Sequence, residues 1–140
     1  MKNKILSFVL ENDWDKQGWG NGYVIIFKDH PMWGVGYGEI PVYVHGGLTF
    51  SRTYDIFFDL RPNISEGNFT NEELKEGWVI GFDTCHLIDT REVWTKKAVL
   101  EETENLKNQM IGLSLNGKSL KKFNFSERFC SRCKRGNACN

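Results

Sequence analysis

Between Thr90 and Leu113 the spacing of apolar residues changes, and that change limits the fold more than any other feature of the chain. Val99, Thr103, Leu106, Met110 and Leu113 recur at four-, three-, four- and three-residue steps, which is one apolar stripe along an α-helix. Lys97, Glu101, Glu104 and Asn108 fall on the wetter faces, and Gly112 or Asn116-Gly117 supplies the stop. Everything before this stretch is built from shorter runs. Tyr23–Phe27 is apolar throughout and predicts a strand covered on both faces, and Trp78–Phe82 predicts another strand. Pro41–Val44, Leu48–Ser51 and Thr53–Leu60 predict further strands, and 4–10 predicts a first strand or a short helix. The segment from Arg61 to Gly77 is polar and reads as an excursion, with one helical turn at Asn71–Leu74. Several strands followed by one long helix give an α+β domain. Its sheet, antiparallel or mixed and of about five strands, carries the helix across one face.

A chain of 140 residues makes one domain with a real core, and 40% hydrophobic and 26% charged residues exclude wholesale disorder. Fourteen glycines and an aromatic content of 14% favour strands and tight turns over a helical bundle. The net charge of zero hides a division. From Asn116 to Asn140 seven basic residues face one acid, so a body of net charge −6 is joined to a tail of +6. We therefore divide the chain into a domain, 1–115, and a basic cysteine-containing tail, 116–140. No segment reaches the roughly 20 apolar residues of a membrane span. The apolar run behind Met1-Lys2-Asn3-Lys4 is too short for the core of a signal peptide. A cytoplasmic protein is expected, in which the sequons at Asn63, Asn68 and Asn124 carry no sugar.

The chemistry-bearing residues cluster at the ends of apolar runs. Val42-Tyr43-Val44 leads into His45-Gly46-Gly47, and Trp78–Phe82 leads into Asp83-Thr84-Cys85-His86, with Asp89 three residues on. The third histidine, His30, precedes Pro31, which already accounts for a turn there, and a structural role is expected for it. Imidazole is the side chain suited to proton transfer near neutral pH and a frequent metal ligand. Two constellations follow. In one, His45 and His86 act as acid and base on a phosphodiester, Asp83 orients one ring, and the amides of Gly46 and Gly47 receive the phosphate. In the other, His45, His86 and an aspartate such as Asp83 hold a divalent metal that activates water. Against both stands the plain reading of hydrogen-bonded histidines beside a tight turn. Thr49 and Asp89 join the candidate ligand-binding set. So do Trp19 and Trp33, which with Trp14 lie in glycine-rich loops and offer faces on which a base can stack.

The tail adds Cys130, Cys133 and Cys139. The first two have the spacing of a zinc knuckle without its usual second pair, so they are weak metal candidates and free thiols are the simpler expectation. Basic residues interleaved with Phe123, Phe125 and Phe129 suit nucleic acid or an acidic partner.

The blocks Gly22-Tyr23-Val24, His30-Pro31, Gly36-Tyr37, Val44–Phe50 and Gly81–His86, followed by Asp89, resemble a family of small proteins encoded by bacteriophages and by bacteria carrying prophage-like genes. The likeness covers about residues 20–110. Ile88 departs from it, standing where the family pattern has a small residue. The resemblance implies a phage-type accessory protein in a bacterial host cell. Together with the site it motivates three expectations. The first is an enzyme that hydrolyses a nucleotide-like ligand, such as a host immune signal. The second is a protein that sequesters that ligand intact, for which a homo-oligomer with pockets between subunits is the natural form. The third is an inhibitor that docks on a host enzyme.

Overall fold

Tyr23, Val24, Ile25 and Ile26 are buried without interruption, the pattern of a strand enclosed on both faces. The computed structural model, which describes residues 4–57 and 69–115, places them in β2 (Gly20–Ile26). This strand lies between β1 (Leu6–Glu11) and β4 (Trp78–Phe82), and β3 (Phe50–Thr53) pairs with the far edge of β4. The order is β1-β2-β4-β3 and every pairing is antiparallel. Alternation along each strand divides the core. Val24, Ile26, Ile80 and Phe82 face one side, while Leu6, Phe8, Tyr23, Ile25 and Val79 face the other.

The first side receives α2 (Lys96–Leu115), whose buried stripe is Ala98, Val99, Thr103, Leu106, Met110 and Leu113. The helix starts six residues later than the sequence suggests. Trp94 N–H bonds to the Thr90 carbonyl in a preceding turn, and Thr95 Oγ1 then accepts the Ala98 N–H as a cap. Gly112 lies inside the helix rather than ending it. Close approach to the sheet depends on Gly22, where a Cβ would stand 2.0 Å from Thr103 Oγ1. The other side is covered by aromatic rings. Phe8 stacks on Tyr23 with centroids 5.0 Å apart, and Phe50 and Tyr54 meet these rings edge-on. α1 (Asn71–Lys75) closes this side through Leu74 and begins with a reciprocal capping box between Thr70 and Glu73.

Four strands among the described residues replace the expected five. Pro41–Val44 joins no sheet. Val42 and Val44 are buried as a strand would bury them, yet the Tyr43 backbone bonds to the side chain of Gln109 on α2, N–H to Oε1 at 2.9 Å and carbonyl to Nε2 at 2.8 Å. A carboxamide with one donor and one acceptor thus stands in for a neighbouring strand. Tyr54–Phe57 forms a single 3-10 turn where Thr53–Leu60 predicted a strand, and the remainder of that stretch lies outside the described residues. So does the tail from 116, including Cys130, Cys133 and Cys139. Among the described residues no helix is long and apolar enough to cross a membrane.

His30 ties the end of β2 to the helix. Its Nδ1 accepts the Met32 N–H at 2.9 Å, so Nε2 carries the proton and donates to the Met110 carbonyl at 2.8 Å. Burial lowers its proton affinity, outweighing the Met110 carbonyl and Asp29, which favour the charged ring. Because the folded value lies below the unfolded one, the unfolded chain binds more protons in the window between them. The stabilisation is complete above the ordinary imidazole value of 6.5 and is lost as pH falls from there through the folded value. Thermal melts between pH 8 and pH 5 should show this loss. His30→Asn, which keeps the acceptor for Met32 but not the bond to Met110, should cost about 1–3 kcal/mol at pH 8 and flatten the slope.

Candidate functional site

The loop after β4 is fixed before it presents any chemistry. Thr84 is buried, donates from Oγ1 to the Gly20 carbonyl at 2.7 Å and accepts the Gly18 N–H on its own carbonyl. The turn joining β1 to β2 grips the same loop from outside, with Gln17 Nε2 bonding to the Cys85 carbonyl and Asn12 Nδ2 reaching Cys85 Sγ. Arg91 completes the clamp through Glu11 at 3.1 Å and the Asn12 carbonyl at 2.9 Å. Within this frame the Asp89 N–H bonds to the His86 carbonyl, and the His86 N–H returns to Asp89 Oδ2 at 2.9 Å. This reciprocal turn points the Asp89 carboxylate inward, beneath the His86 ring.

His45 arrives from the opposite direction. Its N–H bonds to Glu102 Oε2 on α2 at 2.7 Å, its ring packs at 4.2 Å against the buried Trp94, and it is fully enclosed. The two imidazoles meet edge to face with centroids 5.1 Å apart, although 41 positions separate them in the chain. Asp89 lies between them. His45 Nε2 contacts both carboxylate oxygens, at 2.8 and 3.0 Å, and His86 Nδ1 contacts Oδ2 at 3.0 Å. Burial alone would push the Asp89 carboxyl up, but its bonds to His45 and His86 together outweigh that and hold it below the usual carboxylate range. An ionised carboxylate only accepts, so both facing ring nitrogens carry protons. His86 therefore keeps its lone pair on its second nitrogen, Nε2, away from the buried carboxylate.

The exposures decide which group meets solvent. The side chains of His45 and Asp89 are 0% and 1% exposed, whereas those of His86 and Asp83 are 20% and 29% exposed. Asp83 Oδ1 stands 3.7 Å from His86 Nε2, and the carboxylate is held by Thr49 Oγ1 at 2.9 Å and the Cys85 N–H at 3.0 Å. Partial desolvation of the Cys85 sulfur, with the charge of Asp83, pushes its thiol up, away from the thiolate a nucleophile requires.

Several expectations from sequence change here. The aspartate between the histidines is Asp89, not Asp83, and His45, Asp89 and His86 are the set whose ligand atoms all lie within 4.8 Å of one another. His45 is enclosed, so in this arrangement it cannot touch a substrate. The Gly47 amide is committed to the Val44 carbonyl and does not await a phosphate. Gly46 has a steric role. With φ at +70°, it lies so close beneath His86 that a Cβ there would stand 2.1 Å from Cε1 of that ring. Trp33 belongs to the opposite end of β4, where it packs on Trp78 and donates to the Glu76 carbonyl. Trp19 lies under Lys96 and bonds through its backbone to Trp94, one shell behind His45. The cavity of about 530 Å³ lined by Lys4, Phe27, Lys28 and Phe69 is also at that far end. Sequence reasoning did not find Glu102, Trp94 or Thr84. Each acts through contacts between distant segments that leave no local signature.

Comparison of the chain with known protein-family models, with curated proteins and with solved structures finds no match.

Asp89→Asn replaces an acceptor of both rings with a group that presents N–H to one of them, and it should cost about 3 kcal/mol in denaturant unfolding. Gly46→Ala should displace the His86 ring and strain the backbone, by about 1–3 kcal/mol, while leaving the sheet intact by circular dichroism.

Proposed function

We propose that the protein is a hydrolase acting on a phosphodiester of a nucleotide-like ligand, and that His86 is its proton-transfer group. One observation carries the reading. A carboxylate fixes Nδ1–H of a partly exposed imidazole, which leaves the lone pair on Nε2, the nitrogen away from Asp89. In the metal-free protein this is the arrangement of a general base, with Asp89 holding the tautomer and the buried His45 holding Asp89. After taking a proton from water, the same nitrogen can return it to the leaving oxygen, so one exposed imidazole serves both steps. Trp14, 58% exposed on the turn whose Asn12 and Gln17 grip Cys85, offers an apolar face on which a base can stack. The resemblance to phage-encoded proteins supports an accessory role in a bacterial host, with a host immune signal as the ligand class.

The enclosure of His45 favours a second reading, a sequestering protein, because the two-histidine acid and base pair expected from sequence is reduced to one accessible ring. A single experiment separates the two. The protein is incubated with a panel of cyclic and linear nucleotides, and the mixture is chromatographed before and after heat denaturation. Hydrolysis predicts new products that accumulate beyond one equivalent, with turnover lowered about 10²–10⁴-fold by His86→Gln in a variant of unchanged melting behaviour. Undiminished turnover in that variant excludes His86, and release of the intact ligand on heating selects sequestration.

A further inference from the structure

A phosphodiester brought against His86 meets the carboxylates of Asp83 and Asp89, so the substrate class proposed above calls for a compensating cation. The residues that could hold one are already assembled. His45 Nε2, His86 Nδ1 and the Asp89 carboxylate come from separate parts of the chain, yet adjacent donor atoms are 2.8–3.0 Å apart and all lie within 4.8 Å. Ligand atoms bound at about 2.0–2.1 Å to one tetrahedral ion are separated by about 3.3 Å, so the two histidine–carboxylate contacts need to widen by only a few tenths of an ångström, and the two ring nitrogens already lie within 4.8 Å of each other.

We infer that His45, His86 and Asp89 form a binding site for one first-row transition-metal ion of the zinc type. Two imidazoles and one carboxylate are the donor set for such ions. Magnesium and calcium require oxygen ligands, which this cluster does not supply in number. Binding leaves each neutral ring with its single proton but moves it. Nδ1 of His86 gives up its hydrogen to become a ligand atom, and the hydrogen passes to Nε2. There it faces Asp83 Oδ1, 3.7 Å away. A carboxylate accepting the outer N–H of a ligating histidine is the usual support of such sites. Asp83 is itself secured by Thr49 and Cys85, so this outer support is independent of the three ligands. An ion held here would supply a Lewis acid for water, with His86 as one of its ligands; the proton transfer assigned to His86 above belongs to the metal-free protein.

The inference rests on the hydrolase reading only for its location, and its test needs no turnover. Full-length protein is stripped with a chelator, dialysed and titrated with zinc chloride by calorimetry, with elemental analysis of the dialysed product. One ion per chain is expected, undisplaced by a large excess of magnesium. His86→Gln should weaken binding by 100-fold or more and Asp83→Asn by about 10–100-fold. The combined Cys130→Ser, Cys133→Ser and Cys139→Ser variant should bind as the unaltered chain does. Nitrogen-15 spectra of the imidazoles should show the His86 proton moving from Nδ1 to Nε2 on saturation, a readout that holds even if a variant fails to fold. Absence of binding, loss of binding in the cysteine variant, or a His86 proton that stays on Nδ1 at saturating zinc each overturns the inference. One-to-one binding without nucleotide cleavage would remove the hydrolase reading and leave the metal site standing.

Discussion

The buried carboxylate of Asp89 is the interaction on which the geometry of the candidate site depends. Removing a carboxylate from water costs several kcal/mol unless its lone pairs are met by donors. Here they are met by a ring N–H from His45, a ring N–H from His86 and the His86 backbone N–H. The arrangement has consequences in three directions. It selects one tautomer for each ring, it draws the segment carrying His45 onto the loop after β4, and it leaves the lone pair of His86 on Nε2. Removing any one donor would leave the same charge enclosed with less to balance it.

The rest of the fold brings these donors together without using the sheet ladder to do it. β2 begins where β4 ends, and the turn before β2 clamps the loop after β4 through Thr84, Cys85 and Arg91. On the other side, α2 presents Glu102 and Gln109 seven residues apart, two helical turns, and so on one face. Those side chains receive the backbone of Tyr43 and His45. Trp94, just before the helix, then closes against the His45 ring. The helix therefore has two functions on adjoining faces: Val99, Leu106 and Met110 seal the core, and a polar line beside them holds the segment that carries the buried histidine.

Much of this was legible in the residues. The change of period at the helix, the unbroken burial of Tyr23–Ile26 and the strand at Trp78–Phe82 all follow from patterns within a single segment, which local spacing encodes. The meeting of His45 with His86 was expected, because both lie where apolar runs give way to polar residues. What escaped is what depends on partners. Val42 and Val44 alternate with Tyr43 as in a strand, but alternation reports only which side is buried and not what lies alongside. Asp83 and Asp89 are each three residues from His86, and spacing cannot choose between them. The reciprocal turn between His86 and Asp89 makes that choice. Trp33 lies in the same glycine-rich stretch as the histidines, yet the chain crosses the length of the sheet between them.

The attachment of Tyr43 and His45 to side chains rather than to a strand sets how that segment can come loose. A ladder opens cooperatively, with neighbouring amides released in order along the strand. Here the latch on the helix side is made of side chains, Gln109 and Glu102 with Asn105 3.5 Å from the Tyr43 carbonyl, and each can let go by rotation about its own bonds, a motion far faster than sheet rearrangement. Release of the segment that carries the enclosed imidazole thus turns on helix side-chain torsions and on the contact with Asp89, while the strands beneath keep their register.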